Sequence, residues 1–314
     1  MSVFVRQPGL LSLLQDRGRF GQHHLGLTTG GPMDLEAFLI CQRLLGNTPD
    51  CTLIECSFGG LELDAQTETL LCVTGAHVAL HINDQPKDLW TTHRVRPGDH
   101  IRLGRAERGC RSYVGVAGGF TVAPQFGSTA CVLREGIGGL NGSKLAPGDL
   151  LPCATQTRRQ RLQLAPGARP KYTTQTTVRV VLGYQHGHFP PLQQRRFFSS
   201  PWTISQRADR MGYCLEGPAI ACDIQGIVSE GICFGAIQVP ADGQPIVLLN
   251  DRQTIGGYPK LGAALSVDAA RMSQLIPGGT VHFAAITSQT AHNVLHLQQW
   301  RLQNLPLHPL AEDA

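Results

Sequence analysis

Three four-residue phrases constrain this chain more than any other feature: Arg96-Pro97-Gly98-Asp99, Ala146-Pro147-Gly148-Asp149 and Ile276-Pro277-Gly278-Gly279. Proline at the second position of a turn has its φ preset, and glycine at the third takes the positive φ that a type II turn demands. Each phrase leads into an apolar segment: Ile101 and Leu103, Leu150, and Val281 and Phe283. Such turns launch strands. The runs 52–57, 61–63, 70–74, 77–82 and 100–103 are β-branched or alternating and are parted by Gly, Pro, Asn or Asp. With 36 glycines and 20 prolines against 16% charged residues, the expected class is mainly β with a few short helices.

A length of 314 residues and a hydrophobic fraction of 42% imply two domains. Asp16-Arg17-Gly18-Arg19-Phe20-Gly21 is echoed by Asp209-Arg210-Met211-Gly212-Tyr213, each followed by glycine-rich strands and a Pro-Gly turn, so the chain reads as an internal duplication. The expected halves are 1–154 and 175–289, joined by a polar linker at 155–174 and followed by a C-terminal helix and tail over 290–314. Within the first half, Leu35, Phe38, Leu39, Leu44 and Leu45 recur at helical spacing, with Asp34 placed as N-cap and Gly46-Asn47 as the stop. The C-terminal helix, near 291–302, is expected to dock through its Trp300 face.

Several function classes lack support. The net charge is +4 and the basic residues are scattered rather than gathered in a stripe that tracks a phosphate backbone. The densest basic group, Arg158, Arg159 and Arg161, sits in the linker and reads as a solvated stretch. The N-terminus resembles no targeting segment, and no apolar run approaches the roughly 18 residues of a membrane span, so a cytoplasmic location is expected. Ten cysteines without a C-x-x-C pair read as buried reduced thiols. Phosphate-loop, nucleophile-elbow and zinc-protease signatures are missing.

Two weaker signals carry structural alternatives. Gly136-Ile137-Gly138-Gly139-Leu140-Asn141-Gly142 offers backbone N–H groups to an anion, but reads better as a turn because no helix pattern follows. His186 and His188 would share a face of a strand, with no further metal ligands evident, so no metal site is expected. The richest stretch is 238–260. There an apolar run, 246–249, delivers Asp251, Arg252, Gln253, Tyr258 and Lys260 into one loop around Gly256 and Gly257. Such a mixture suits recognition of a small planar amide or ureido group; its structural alternative is a solvated ion pair of Asp251 with Arg252 or Lys260.

The blocks Gln15-Asp16 with Gly18-Arg19-Phe20-Gly21, Gly30-Gly31-Pro32-Met33-Asp34, Leu45-Gly46-Asn47, Glu55 with Gly59-Gly60, Thr74-Gly75-Ala76 and Ala117-Gly118-Gly119 come in order. Arg210-Met211-Gly212-Tyr213, Leu215-Glu216-Gly217, Ser229-Glu230-Gly231, the 235–240 run and the 251–260 loop complete the series. Over residues 3–284 this order resembles the biotin-dependent carboxyltransferase-like family. That family comprises subdomains A and B of urea carboxylase, allophanate hydrolase subunit 2 and the C component of 5-oxoprolinase. The chain departs from the family at 181–189, where a Pro-Gly-Pro-like turn is usual.

The resemblance implies two cyclophilin-like β-barrel domains and obligate partners: the B component of 5-oxoprolinase, carrying subdomains C and D, and its lactam-utilization-like A component. It implies hydrolysis of 5-oxoproline to glutamate, with ATP and Mg2+ shared with those partners. The alternative is a carboxyltransferase acting on urea or an amide, with biotin as cofactor. A third reading is a non-catalytic antagonist of a kinase-inhibitor partner. No biotin carboxylase or carrier segment lies among the 314 residues, which favours the first.

Under that first reading, Arg19, Arg210, Arg252 and Lys260 are the cations for developing phosphoryl charge, and Asp34, Glu230 and Asp251 are the acids or bases. Asp34 has helix capping as its competing role. Gln238 and Tyr258 would orient the amide, with Gln253 beside them, and Gly30, Gly31, Gly256 and Gly257 would supply backbone donors. The two polar segments, 19–34 and 251–260, are expected to share one pocket.

Overall fold

The computed structural model describes residues 1–155 and 160–311, so Arg158 and Arg159 of the basic group lie outside the described residues. The chain divides into two compact units. The first contains Met1–Phe20, Gly30–Tyr172 and the chain from Leu302 onward, and the second contains Gly21–Thr29 and Thr173–Arg301.

In the first unit nine strands form one half-barrel sheet: β1 (Ser2–Pro8), β2 (Leu11–Gln15), β3 (Leu53–Ser57), β4 (Leu61–Ala65), β5 (Thr69–Ile82), β6 (Gln85–Lys87), β7 (Thr92–Val95), β8 (His100–Val116) and β9 (Leu150–Pro152). The main path runs β2-β3-β8-β4-β1-β9, and β5 lies along β8. The runs 70–74 and 77–82, expected as separate strands, are one strand, β5. Gly75 is not a break but a bulge, at φ +91°, where an added Cβ would sit 2.3 Å from the Arg111 carbonyl oxygen.

The helix expected at 35–45 is α1 (Leu35–Leu45), capped by Asp34 and stopped by Gly46 in the left-handed region at φ +63°. Its apolar face buries Phe38, Ile40, Cys41, Leu44 and Leu45 with Leu53, Leu70, Cys72 and Tyr113 of the sheet. Phe38 meets the Tyr113 ring edge-on at 5.9 Å. Truncating Phe38 to alanine removes this plug, at about 3–5 kcal/mol.

Part of the segment read as a linker is structured. β10 (Leu162–Leu164) pairs antiparallel with the last strand of the chain, Leu307–Pro309, with Leu164 opposite Leu307.

The second unit is a closed seven-stranded barrel built from β11 (Gln175–Leu182), β12 (Trp202–Ala208), β13 (Gly212–Glu216), β15 (Ala236–Gln238), β16 (Ile246–Leu248), β18 (Lys260–Ala264) and β19 (Thr280–Ile286). The two-residue strands β14 (Glu230–Gly231) and β17 (Ile255–Gly256) pair beside it. Parallel pairing of β11 with β19 closes the ring. Phe197 of α2 (Pro191–Ser199) stacks on Phe283 at 4.4 Å, and the Trp202 indole N–H donates to the Phe197 carbonyl at 3.0 Å. Two further helices, α3 (Ser266–Met272) and α4 (Ser288–Gln303), precede the last strand, β20 (Leu307–Pro309).

The C-terminal helix thus exists, but docking through Trp300 is corrected: that side chain is 64% exposed and Ala291 is the buried residue of α4. No helix among the described residues is long and apolar enough to cross a membrane.

All three Pro-Gly phrases form type II turns. Gly98, Gly148 and Gly278 have φ of +94°, +95° and +89°, and the fourth residue donates to the first carbonyl at 3.0, 3.2 and 2.9 Å. Each turn is also stitched to one strand residue by two backbone bonds. Ala65, Val5 and Ile204 accept from the turn glycine at 2.8 Å and donate to the next residue's carbonyl at 2.9, 2.8 and 2.9 Å. The same joint therefore occurs twice in the first unit and once in the second.

Candidate functional site

Each unit carries a polar cluster around its aspartate turn. In the first, Asp16 accepts from the Gly18 N–H at 2.9 Å, the Ser128 hydroxyl at 2.6 Å and the Thr129 N–H at 2.7 Å. Arg19 is fully buried and donates to the carbonyls of Gln125 (3.0 Å), Ala130 (3.1 Å) and Ser128 (3.4 Å). Its guanidinium fastens the 125–130 loop. The Gly31 N–H donates to Gln15 Oε1 at 3.0 Å. Gly30 and Gly31 hold positive φ, and a Cβ on Gly31 would lie 2.8 Å from the Arg17 carbonyl oxygen.

Asp34 accepts from the Ala37 N–H at 3.1 Å and the Tyr172 hydroxyl at 2.8 Å. Glu55 accepts from the Met33 N–H at 2.8 Å and the Tyr113 hydroxyl at 2.7 Å, and that hydroxyl accepts from the Asp34 N–H at 2.7 Å. Burial, then the charges of Glu55 and Asp34, push the Tyr113 phenol well above its usual value, so it stays a donor. This cluster holds the loop and the helix start.

The glycine run 136–142 likewise turns inward. The Gly138 N–H donates to Gln125 Oε1 and those of Gly139 and Gly142 to the carbonyls of Thr129 and Gly138.

The second unit repeats the aspartate turn and uses it differently. Asp209 Oδ1 accepts from the Met211 N–H at 2.8 Å and the Gly212 N–H at 3.2 Å. The neighbouring Arg210 is buried against Asp251, with two bonds of 2.9 Å. The expected partners of Asp251, Arg252 and Lys260, are thereby corrected to Arg210. Arg252 donates to the carbonyls of Ile232 and Leu249, both at 3.2 Å, and burial lowers its pKa.

Beside that pair, strand register assembles the rest. Glu230 pairs with Gly256 across β14 and β17, and Gln238 with Lys260 across β15 and β18. The Lys260 ammonium donates to Glu230. Gln185 Nε2 donates to Glu230 Oε1 at 3.0 Å, while its Oε1 accepts from the Lys260 N–H at 2.8 Å. Hydrogen bonds from Lys260 and then Tyr184 hold the Glu230 carboxyl below its usual range, and the same contact raises the Tyr184 phenol.

Gln238 is 1% exposed, and its Nε2 has no hydrogen-bond partner among the described residues. A Cβ on Gly256 would sit 2.9 Å from that nitrogen and 2.5 Å from Ile232 Cδ1. Glycine is required there for space rather than for φ. Gly257 gives its carbonyl to the Ile227 N–H at 2.9 Å, Gln253 is half-buried and Tyr258 is 45% exposed.

Sequence reasoning passed over Tyr184 and Gln185. Both lie in the stretch where the chain departs from its family, and that departure was the available signal. His186 and His188 fall in a 3-10 turn rather than on a strand, with His186 Nδ1 2.6 Å from the Gly183 carbonyl oxygen. Among the described residues no group of three or more His, Cys, Asp or Glu side chains is arranged to hold a metal ion.

The family model for the carboxyltransferase domain, subdomain A and B, matches residues 25–285. The chain belongs to that family. It is 33% identical over 310 residues to the C component of 5-oxoprolinase from Escherichia coli, covering 96% of this chain and 98% of that one. The corresponding Haemophilus influenzae component is also 33% identical, with 92% and 94% covered. Among solved structures, Kluyveromyces lactis urea carboxylase superposes with a TM-score of 0.90 at 25% identity, over all of this chain and 30% of its own. The K. lactis urea amidolyase, at 24% identity and a TM-score of 0.91, shares the fold over 20% of its length. The family therefore joins polypeptides of this length to segments of much larger enzymes.

Proposed function

We propose that this chain is the C component of an ATP-dependent 5-oxoprolinase that opens the lactam of 5-oxoproline to glutamate together with companion subunits. The observation that carries the reading is the 33% identity to the two bacterial C components, sustained over 98% and 94% of their lengths. The second-unit cluster supplies a chemistry consistent with it.

In this reading the buried Gln238 carboxamide donates to the ring carbonyl oxygen, which satisfies a nitrogen that otherwise costs about 1–3 kcal/mol to bury. The Lys260 ammonium stabilises negative charge growing on that oxygen. Glu230, held as the carboxylate, takes a proton from the attacking water as its oxygen bonds to the ring carbonyl carbon and passes that proton to the ring nitrogen as the C–N bond breaks. Tyr258 and Gln253 meet the substrate or a companion from the adjoining loop. Asp251 and Arg210 brace that loop rather than react.

The nucleotide does not fit the residues of this chain in the same way. Arg19, Arg210, Arg252 and Lys260 all serve protein acceptors, and the glycine run donates inward. We assign ATP and Mg2+ to the companion subunits.

The test is glutamate release from 5-oxoproline and ATP, measured with this chain alone, with the companion subunits alone and with all together. Release confined to the complete mixture supports the proposal. Carboxylation of urea from carboxybiotin, without glutamate release, would instead establish the alternative that the urea carboxylase likeness suggests. Neither activity in the complete mixture would leave the non-catalytic reading.

A further inference from the structure

Glu230 and Lys260 meet on unequal frames: Glu230 lies on β14, two residues long and paired with the equally short β17, whereas Lys260 opens the five-residue barrel strand β18. Two flexible side chains on such frames lose rotamer freedom when paired, and a partly exposed ion pair returns little in exchange. Something else must hold them in register.

Gln185 touches both. Its Nε2 donates to the Glu230 carboxylate at 3.0 Å and its Oε1 accepts the Lys260 backbone N–H at 2.8 Å. The residue is buried, at 7% exposure. Its own backbone is fixed by the 3-10 turn, where its carbonyl accepts from the His188 N–H at 3.1 Å, and by the Gly183 N–H donating to the Leu261 carbonyl at 3.0 Å. A carboxamide offers a donor on its nitrogen and an acceptor on its oxygen, which neither a carboxylate nor a thioether does.

We propose that Gln185 is a positioning residue that sets the geometry of the Glu230–Lys260 pair by bridging the carboxylate and the strand that carries the lysine. It rests on the reading of that pair as the reacting groups. Gln185 touches neither substrate nor cofactor in this role. Its Nε2 and the Lys260 ammonium donate to the same carboxylate oxygen, Glu230 Oε1, so the carboxamide fixes the oxygen that the ammonium meets. The charged and titratable groups facing Glu230 are Lys260 from β18 and Tyr184 from the loop of Gln185, with Cys233 acting on Tyr184.

Gln185→Glu is nearly isosteric and keeps the acceptor for the Lys260 N–H. It removes the donor to Glu230 and sets a like charge against it, which disfavours the ionised carboxylate. Gln185→Met keeps the bulk and removes both polar ends. The measurement is the Glu230 carboxyl titration in the full chain labelled with 13C-glutamate, with the resonance assigned by its loss in Glu230→Gln. The expected midpoints rise in the order wild type, Gln185→Met, Gln185→Glu, with thermal midpoints within about 4 °C of each other.

A packing role would leave the Gln185→Met midpoint at the wild-type value, and that result overturns the proposal; the added charge of Gln185→Glu raises the midpoint in either role and sets the upper end of the scale. Should Gln185→Glu not fold, Gln185→Met decides alone: a raised midpoint supports the bridge and an unchanged one removes it. With companion subunits, kcat in Gln185→Met should fall about tenfold while KM changes less than about twofold. A change confined to KM counts against positioning. The titration needs no substrate, so a failed glutamate assay with an intact midpoint order sinks the 5-oxoprolinase reading and leaves Gln185 in place.

Discussion

The turns at Asp16 and Asp209 begin alike and end in different physical states. Each aspartate accepts from the N–H two residues on, at 2.9 Å and 2.8 Å. The next residue is arginine in both, but Arg17 stays partly exposed, 3.9 Å from Asp50, while Arg210 is buried in a two-bond pair with Asp251. In the first unit the burial falls to Arg19, which donates to backbone carbonyls. A turn that recurs in both units is thus part of a fastener in one and adjoins the brace of a polar cluster in the other. The contrast teaches where to look for chemistry. The first unit's buried acids, Asp16, Asp34 and Glu55, accept from backbone N–H groups and hydroxyls, with buried Arg111 3.9 Å from Glu55, whereas the second keeps a lysine–glutamate pair and, among the described residues, an unsatisfied Gln238 amide beside its loop.

The sharpest way to break that contrast is to remove charge from the second cluster. Lys260→Met and Glu230→Gln should each lower companion-dependent turnover by about 10²–10⁴-fold, with wild-type circular dichroism. Undiminished turnover would return the first unit to candidacy. Next comes the brace. Arg210→Ala strands a buried carboxylate and should cost about 3–5 kcal/mol in urea unfolding. The double change Arg210→Met with Asp251→Leu should recover most of it, and Arg17→Ala should stay within about 0.5 kcal/mol. Equal losses at Arg17 and Arg210 would erase the asymmetry.

A smaller effect is expected at the helix start. Asp34→Ala should cost about 1–2 kcal/mol and Asp34→Asn less, since asparagine also caps. The smallest concerns pH. Glu230 has a depressed folded-state value, so its contribution is complete above the ordinary carboxylate value of about 4.3 and is lost as pH falls through the folded value. The stability gap between wild type and Glu230→Gln should be under about 1 kcal/mol and should close on acidification across that window.

Local rules carried far in this chain. The Pro-Gly turns and α1 with its Asp34 cap and Gly46 stop are written in contiguous residues, so sequence alone locates them. Gly75 misled because a glycine that ends a strand and one that sits in a bulge look the same until the partner strand is known. The candidate site was half legible. Glu230, Gln238 and Lys260 stood out by chemistry, yet Gln185 gained its place from partners 45 and 75 positions away, and Asp251 from one 41 away. No local pattern encodes such pairings. Arg19 and Asp34 were visible as polar loop residues, but their burial, which fixes them as fasteners, depends on the distant carbonyls and hydroxyls they meet.

The pairing of Leu162–Leu164 with Leu307–Pro309 gives the chain an unusual itinerary. Residues 173–301 leave the first unit and return to it within a few positions of one antiparallel ladder. The barrel is therefore spliced into its host like a cassette, with entry and exit stapled side by side, rather than strung behind it as a bead. Removing residues 173–301 would leave Gly21–Thr29, the other segment of the second unit, behind, whereas clipping the strand at Leu307–Pro309 would unfasten the staple.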